Sequence, residues 1–348
     1  MSERNDLLAS ISKTIETYRA GEISPPTSAH VERWVSQFTP ANQLPFLREF
    51  DHVIQRTYLT RETVRGFLSE LVTNEKLAGK HPAAYWACAN VLRIQRAGQS
   101  QKEMAGLFAE ILQEQCGLNL AKCGASDGDF IYLDDVLFSG GRVGTDLEAW
   151  IAEGAPATAN LHVIVMARHA LGQYYTSKRL NKAIQNSGKK IQIHYWYARE
   201  LENRRYRKDN SDVLWPTAIP NVATVQAYVA SEEKFPLDPR RPGGASGLFS
   251  SEAGRQILEN EFLIAGVKIR SMTQLPKNFM RPLGFGNFGV GFGALIATYR
   301  NCPNNCPLAL WWGEPEAASG ALHWYPLLQR KTYAAPENVF NAFDDLTA

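Results

Sequence analysis

The chain has 348 residues, a length that allows two domains, or one domain with substantial extensions. Its composition, with 45% hydrophobic residues, 21% charged residues and a net charge of +2, excludes a disordered chain and a polybasic nucleic-acid-binding arm. Its five cysteines are odd in number and only Cys302 and Cys306 are close together, so a disulfide framework is not expected. The polar, mixed-charge N-terminus does not resemble a signal peptide. No apolar run reaches the ~20 residues of a membrane span, so no membrane partner is expected. The cysteine usage fits a reducing cytoplasm, and we expect a cytoplasmic protein.

Residues 1–80 are predicted to form a helical domain. Apolar residues recur at helical spacing over Leu7–Tyr18, Phe46–Ile54 and Val64–Leu71, and Thr60 is a plausible N-cap for the last of these helices. Several short helices fit either a winged helix or a helical bundle. The bundle is favoured because no helix is rich enough in Lys and Arg to be a recognition helix.

Residues 81–235 are predicted to form an α/β core, because strands and helices alternate there. The strands are expected over Val91–Ile94, Phe130–Leu133, Leu161–Met166 and Ile191–Tyr197, and the helices over Lys102–Gln113, Val143–Ala152 and Tyr174–Gln185. This alternation predicts a parallel sheet with its sites at the carboxyl ends of the strands. Residues 236–348 begin with a Pro/Gly-rich connector and are expected to form an α+β extension that caps the core.

The motif that is most informative about chemistry lies in residues 130–142. An apolar strand leads to Asp134 and Asp135, and the turn Phe138, Ser139, Gly140, Gly141 and Arg142 leads into a helix. Glycines before a helix N-terminus expose backbone N–H groups where the helix dipole is positive, which suits a phosphate. Adjacent residues of a strand point to opposite sides, so one acid could face ligand hydroxyls or a metal-bound water while the other is held by neighbouring backbone. A solvated acidic turn that caps the helix is the structural alternative.

A second loop, between Val91 and Gln101, follows the preceding predicted strand. Gln95, Arg96, the backbone near Gly98 and Ser100 as an N-cap could contact a pyrophosphate there. An ordinary strand-to-helix turn with a capping serine is the structural alternative.

These two loops resemble those of type I phosphoribosyltransferases. The resemblance implies that Asp134 and Asp135 contact ribose hydroxyls, that residues 138–142 hold the 5′-phosphate, and that the loop with Gln95, Arg96, Gly98 and Ser100 holds the pyrophosphate with Mg²⁺ as cofactor. It implies no protein metal site. Two residues depart from the family pattern. Arg142 stands in place of Thr or Lys and could still reach a phosphate, whereas Phe138, in place of an acid, argues against hypoxanthine or guanine salvage.

Over residues 80–330 the chain most resembles the phosphoribosyltransferase-like (PRTase-CE type) proteins of prokaryotic conflict and anti-phage defence systems. The stretches that carry this resemblance are 94–101, 132–140, 281–286 and 301–308, with Trp311, Trp312 and residues 324–327. It implies a defence effector that binds phosphoribosyl pyrophosphate (PRPP) or a nucleotide and acts as a glycosyltransferase or nucleotide N-glycosidase. The alternative is a non-catalytic module that senses a nucleotide or binds nucleic acid. The partner would be a defence protein, such as a retron reverse transcriptase with its non-coding RNA, or a second copy of the chain.

Weaker candidates accompany these loops. Zinc at Cys302, Cys306 and His323 is disfavoured because only three ligands are evident. His162 and His169 flank the strand Leu161–Met166. Arg168 and His169, near its carboxyl end, could line the cleft or be surface residues, and His194 is expected to be a core histidine. The basic cluster at Arg204, Arg205, Arg207 and Lys208 could meet nucleic acid or be a solvated face. Core packing is favoured over base stacking for Trp311, Trp312 and Trp324.

Overall fold

The structure is a computed structural model, and it describes residues 2–95, 100–243, 247–273, 276 and 278–330. Its helices are α1 (Glu3–Thr14), α2 (Ser28–Val35), α3 (Gln43–Thr57), α4 (Arg61–Val72), α5 (Glu75–Ala78), α6 (Pro82–Cys88), α7 (Ser100–Cys116), α8 (Gly141–Glu153), α9 (Ala170–Ser187), α10 (Ala223–Ser231), α11 (Glu252–Ser271) and α12 (Leu308–Trp311). Its strands are β1 (Tyr58–Leu59), β2 (Asn90–Val91), β3 (Phe130–Leu137), β4 (Thr158–His169), β5 (Lys190–Leu201) and β6 (Ala297–Thr298).

The described residues fall into two compact units. The first combines those of Met1–Arg61 with those of Glu202–Lys331, and the second comprises those of Glu62–Leu201. The helices of the front segment are therefore divided, with α1 to α3 in the first unit and α5 and α6 in the second. These bounds differ from the three domains proposed from the sequence, which remain a prediction.

The second unit contains a four-stranded parallel sheet in the order β2-β3-β4-β5. The α/β class predicted from the alternation of strands and helices is confirmed. Strand lengths differ from the prediction, because β2 ends at Val91 and β3 continues to Leu137. β3 is the longer because its ladder with β4 extends as far as the pair Leu137 and Arg168.

One face of this sheet is covered by α8 and α9, which also pack against each other. The core between them is built from alternate strand residues and from the apolar faces of the two helices, and it includes Tyr132, Leu161, Val163, Val165, Ile191, Val143, Leu147, Ile151 and Leu180. α9 ends at Ser187, and the next residue, Gly188, caps the helix in a left-handed conformation with φ of 68°. α8 follows β3 and α9 follows β4, so each of these helices begins at the carboxyl edge of the sheet. Their buried apolar faces hold them there.

The first unit has an aromatic core in which helices of the front segment meet the C-terminal half of the chain. Trp34 contacts the rings of Phe38, Phe46, Phe50 and Phe262, and its Nε1 donates a hydrogen bond to the Ala309 carbonyl at 2.8 Å. β1 pairs in parallel with β6. A winged helix would instead need an antiparallel wing, and none is present among the described part of residues 1–80.

Candidate functional site

Asp134 and Asp135 lie inside β3 rather than after it, so the prediction that the strand ends at Leu133 is wrong. Asp134 is only 3% exposed, whereas Asp135 is half-buried. The Asp134 Oδ1 accepts a hydrogen bond from the Asp135 amide at 2.9 Å, and the Asp135 Oδ1 accepts one from the Val136 amide at 2.8 Å. Both carboxylates thus support the backbone of β3, and Asp135 is the more accessible of the two.

Asp134 shares a strand face with Tyr132, because alternate residues of a strand point to the same side. The Tyr132 hydroxyl donates a hydrogen bond to the Asp146 Oδ2 of α8 at 3.1 Å. The pKa of Tyr132 is raised well above its usual value by burial and then by the negative charges of Asp134 and Asp146, while the positive charge of Arg142 opposes this rise. A buried tyrosine thus lies close to two carboxylates and to the guanidinium that begins α8.

The turn from Phe138 to Arg142 has the form expected of an anion-binding loop. Gly140 is the N-cap of α8 in a left-handed conformation with φ of 75°, and its carbonyl accepts the first helical hydrogen bond, from Gly144, at 2.8 Å. The Gly141 amide donates to the Ser139 Oγ at 3.3 Å, and both residues are exposed. The loop therefore presents a hydroxyl and the positive end of a 13-residue helix to solvent.

Helix α9 packs directly under this turn. A Cβ on Gly140 would lie 1.6 Å from the Oγ1 of Thr176, and a Cβ on Gly172 would lie 1.6 Å from the Phe138 carbonyl oxygen. On the same helix, Arg179 donates hydrogen bonds to the Gly141 carbonyl at 3.3 Å and to the Thr145 Oγ1 at 3.1 Å. The sequence offers no local signal for Gly172, Thr176 or Arg179, because these contacts depend on how two helices pack.

The second predicted loop is held at both ends. The Gln101 Oε1 accepts hydrogen bonds from the amides of Ile94 and Gln95 at 2.8 and 2.9 Å, and the Gln101 amide donates to the Gln95 Oε1 at 3.0 Å. α7 begins at Ser100, as the sequence predicted for a helix following this loop. Arg96 and Gly98 lie outside the described residues, as does the side chain of Ser100. Their predicted contacts with a ligand remain predictions, as do the ligand contacts of Gln95, Asp134, Asp135 and residues 138–142.

The carboxyl end of β4 brings two more candidates to this region. His169 is buried, its ring meets Phe138 edge to face at 4.9 Å, and burial lowers its pKa to about 3, so it is neutral at physiological pH. Arg168 stacks on the Tyr197 ring at 3.6 Å and forms an ion pair with Glu200. Phe138 therefore packs against the end of β4.

His162 and His194 form a separate cluster nearer the start of β4. His162 is buried and is hydrogen-bonded to the Asp129 Oδ2 at 3.1 Å and to the Trp196 Nε1 at 2.9 Å. His194 is exposed and stacks on His162 at 5.0 Å, so the prediction of a core histidine is wrong at this position.

Three weaker candidates take structural roles. The basic cluster is paired with acids: Arg204 and Arg207 with Glu202, and Arg205 and Lys208 with Asp238. The three tryptophans predicted to be core residues are buried, and each Nε1 donates to a backbone carbonyl. Cys302 and Cys306 are buried free thiols, and His323 bonds the Ala317 carbonyl at 3.0 Å.

The described residues contain no group of three or more His, Cys, Asp or Glu side chains placed to hold a metal ion. None of the described helices is long and apolar enough to cross a membrane.

The carboxyl edge of the parallel sheet carries an acid pair, a glycine turn at a helix N-terminus and a second loop whose ends are held by hydrogen bonds. These features define a phosphoribosyltransferase-like α/β module. A family model named PRTase-CE matches residues 31–330, and the chain belongs to that family. No curated protein and no solved structure matches the chain.

Proposed function

We propose that the chain binds a ribose 5-phosphate ligand, either PRPP or a nucleotide, at the carboxyl edge of its sheet and acts at the anomeric carbon. The observation that carries this proposal is the left-handed Gly140 turn, which follows the acid pair on β3 and opens α8. The turn from Phe138 to Arg142 would bind the 5′-phosphate through the Ser139 hydroxyl, backbone amides and the helix dipole. Asp135, the more accessible acid, would hold the ribose hydroxyls.

Bond breaking at the anomeric carbon develops positive charge on the ribose ring and negative charge on the leaving group. Carboxylates beside the ribose would stabilise the positive charge on the ring, and loop amides with Arg96 would stabilise the negative charge on the leaving group. This is electrostatic catalysis without a covalent intermediate. Transfer, glycosidic cleavage and nucleotide depletion are all compatible with these groups.

The acid pair also fits Mg²⁺. This ion prefers oxygen ligands and usually keeps waters and substrate phosphates in place of a full set of protein ligands. The described residues contain no group of three or more acids, histidines or cysteines placed to hold a metal ion, so the two acids would supply only part of the ligands of Mg²⁺. When bound, Mg²⁺ would neutralise charge on a pyrophosphate leaving group.

We further propose that this activity serves bacterial anti-phage defence as an effector, with a partner such as a reverse transcriptase–RNA complex or with a second copy of the chain. Family membership supports this context. Cells that express the chain should lose a nucleotide pool on phage challenge, and the loss should disappear in the Asp135→Asn variant. Pools that stay level in challenged cells would overturn the effector role.

The burial of Asp134 favours a second candidate, a module that binds the nucleotide at the turn from Phe138 to Arg142 without turnover, because a buried acid is poorly placed to stabilise charge on the ribose. Incubation of the purified chain with radiolabelled PRPP and Mg²⁺ distinguishes the two. Release of pyrophosphate supports the enzyme, whereas saturable binding without release over hours supports the sensor.

A further inference from the structure

β5 forms one edge of the four-stranded sheet. It is 12 residues long and, within the part of the chain that the structure describes, it pairs with β4 alone. In a parallel ladder, alternate residues direct their N–H and C=O groups to the neighbouring strand, and the residues between them direct theirs to the other side. The outer side of β5 is therefore a row of backbone donors and acceptors on which a further strand can pair.

The side chains of β5 are much more exposed than those of the neighbouring strand. In β4, residues 161–167 are all buried, whereas in β5 only Ile191 and Leu201 are buried. The centre of β5 is aromatic, with Tyr195 and Trp196 half-buried and Tyr197 36% exposed. A strand that paired with this edge would cover part of these rings and remove apolar surface from water.

The centre of β5 lacks the features that commonly protect an edge strand from pairing, which are charged residues, proline and β-bulges. Residues 191–198 contain no Asp, Glu, Lys, Arg or Pro. The register with β4 is constant from Lys190 to Leu201, so no bulge interrupts the strand. The charged residues lie at its two ends, with Lys190 at the start and Arg199 and Glu200 near the finish.

The sequence of β5 is complementary to itself when two copies run antiparallel. If Tyr195 of one copy lies opposite Tyr195 of the other, Lys190 of each copy lies opposite Glu200 of the other, so an opposite-charge pair forms at both ends. In the same register His194 lies opposite Trp196. Opposite charges and aromatic side chains that face each other across two strands stabilise the pairing. Moving the symmetry axis by one residue along the strand separates Lys190 from Glu200.

We propose that β5 is a homodimer interface, on which a second copy of the chain adds its own β5 in antiparallel orientation to form one continuous sheet. The charge pairing determines the occupant, because a second copy supplies the acid for each lysine and the lysine for each acid. Since the two copies of β5 run in opposite directions, the carboxyl edges of the two sheets lie at opposite ends of the joined sheet. Each copy keeps its own candidate site, and the inference is independent of the proposed function.

Charge reversal at the two ends of β5 tests both the surface and the register. Lys190→Glu and Glu200→Lys each place like charges opposite each other in a homodimer, whereas an equal mixture of the two variants restores opposite charges at both ends. Sedimentation velocity over a concentration series at low salt measures the dimer dissociation constant. We expect the wild type to dimerise, this constant to rise at least about tenfold in each variant alone, and the mixture to regain dimers.

Lys182→Glu is the matched control, because Lys182 is exposed on α9 outside β5 and the charge change is identical. It should dimerise as the wild type does. Lys190 is exposed as well, so Lys190→Glu should fold, which circular dichroism checks, and it should bind ribose 5-phosphate with unchanged affinity.

Wild-type protein that stays monomeric throughout the concentration series would overturn the homodimer. A dimer with the same dissociation constant in Lys190→Glu and in Lys182→Glu would also overturn the inference, because that dimer would use another surface. Wild-type protein that forms the dimer but binds neither PRPP nor ribose 5-phosphate would count against the proposed function and leave this interface standing.

Discussion

The hydroxyl of Thr176 occupies the space that a Cβ on Gly140 would need, with only 1.6 Å between the two positions. Thr176 is buried, and its Oγ1 donates a hydrogen bond to the Gly172 carbonyl at 2.8 Å, so the hydroxyl is held in place. Gly140 also has a φ of 75°, a conformation that other L-residues adopt at a cost. Glycine is required at position 140 both for the turn and for its contact with α9.

Gly140→Ala should therefore destabilise the protein and weaken phosphate binding together. We expect a loss of at least about 2 kcal/mol from the left-handed conformation and the clash with Thr176. Gly141→Ala is the control, because Gly141 has no left-handed φ and a Cβ there would stand 3.5 Å from the Ser139 Oγ, an ordinary contact. Urea unfolding and ribose 5-phosphate titration of both variants provide the test, and indistinguishable behaviour of the two alanines would contradict it.

Asp135, the more accessible acid, should be needed for ligand affinity and not for stability. Asp135→Asn keeps an oxygen that accepts from the Val136 amide, so its melting temperature should match the wild type. Its affinity for PRPP should drop roughly ten- to hundredfold, the effect of losing one charged hydrogen bond of about 1.5–3 kcal/mol. Differential scanning calorimetry and ligand titration measure the two quantities. Retained affinity would show that Asp135 only supports the strand.

Much of this edge could be predicted from local pattern. The order of apolar strand, acids, glycine turn and amphipathic helix indicated a parallel strand, a turn and a helix N-terminus, and the structure has each of them. The end of β3 could not be predicted, because two acids disfavour a strand locally, whereas the ladder with β4 continues past them to Leu137. The contact of Thr176 with Gly140 could not be predicted from the sequence either, because it arises from the packing of two helices.

His194 shows a second limit of local pattern. An apolar run around a histidine indicates a strand but not its place in the sheet. β5 is the terminal strand in the four-stranded order, so the face that carries His194 is exposed there. Sheet order depends on pairing between distant segments, which no residue near position 194 encodes.

The first unit should depend strongly on Arg240. Its side chain is 0% exposed and binds the Glu252 Oε1 at 2.8 Å and the Glu259 Oε2 at 2.9 Å. Arg240→Met would leave the buried Glu259 with Arg255, at 2.8 Å, as its remaining charged partner, and we expect a loss of about 3 kcal/mol. Arg205→Met, at a side chain that is 54% exposed, should cost under about 1 kcal/mol. Chemical denaturation of both variants checks this, and similar values for the two would rule out a special role for the buried network.

Acid should destabilise the second unit through His169. Burial lowers the pKa of His169 from 6.5 to about 3, so the unfolded chain binds a proton at a higher pH than the folded chain does. The stability that the neutral ring provides is complete above pH 6.5 and is lost as the pH falls towards 3. Between about pH 7 and pH 5 this amounts to about 2 kcal/mol. His169→Gln should remove that part of the pH dependence in urea unfolding, whereas His81→Gln, at an exposed site, should retain it.

The hydrogen bond from the Trp196 Nε1 to the His162 Nδ1 should help to keep His162 neutral. An indole nitrogen only donates, so the Nδ1 must be unprotonated and the Nε2 must carry the proton that faces Asp129. Burial lowers the pKa of His162, the Asp129 carboxylate opposes this, and the neighbouring His194 adds to it. Trp196→Phe removes a donor that only the neutral ring can use, and should raise this pKa. Asp129→Asn removes the negative charge that stabilises the protonated ring, so it should lower the pKa of His162 further.

Titration of the imidazole nitrogens by NMR measures both shifts. His30, in the other compact unit, provides the internal reference, and its titration should be the same in all three proteins. A structural ring that tolerates either tautomer would show shifts in one direction for both variants, or none for Trp196→Phe. Opposite shifts would show that Trp196 and Asp129 act on the same ring from its two nitrogens, and that these two partners fix the position of the proton on His162.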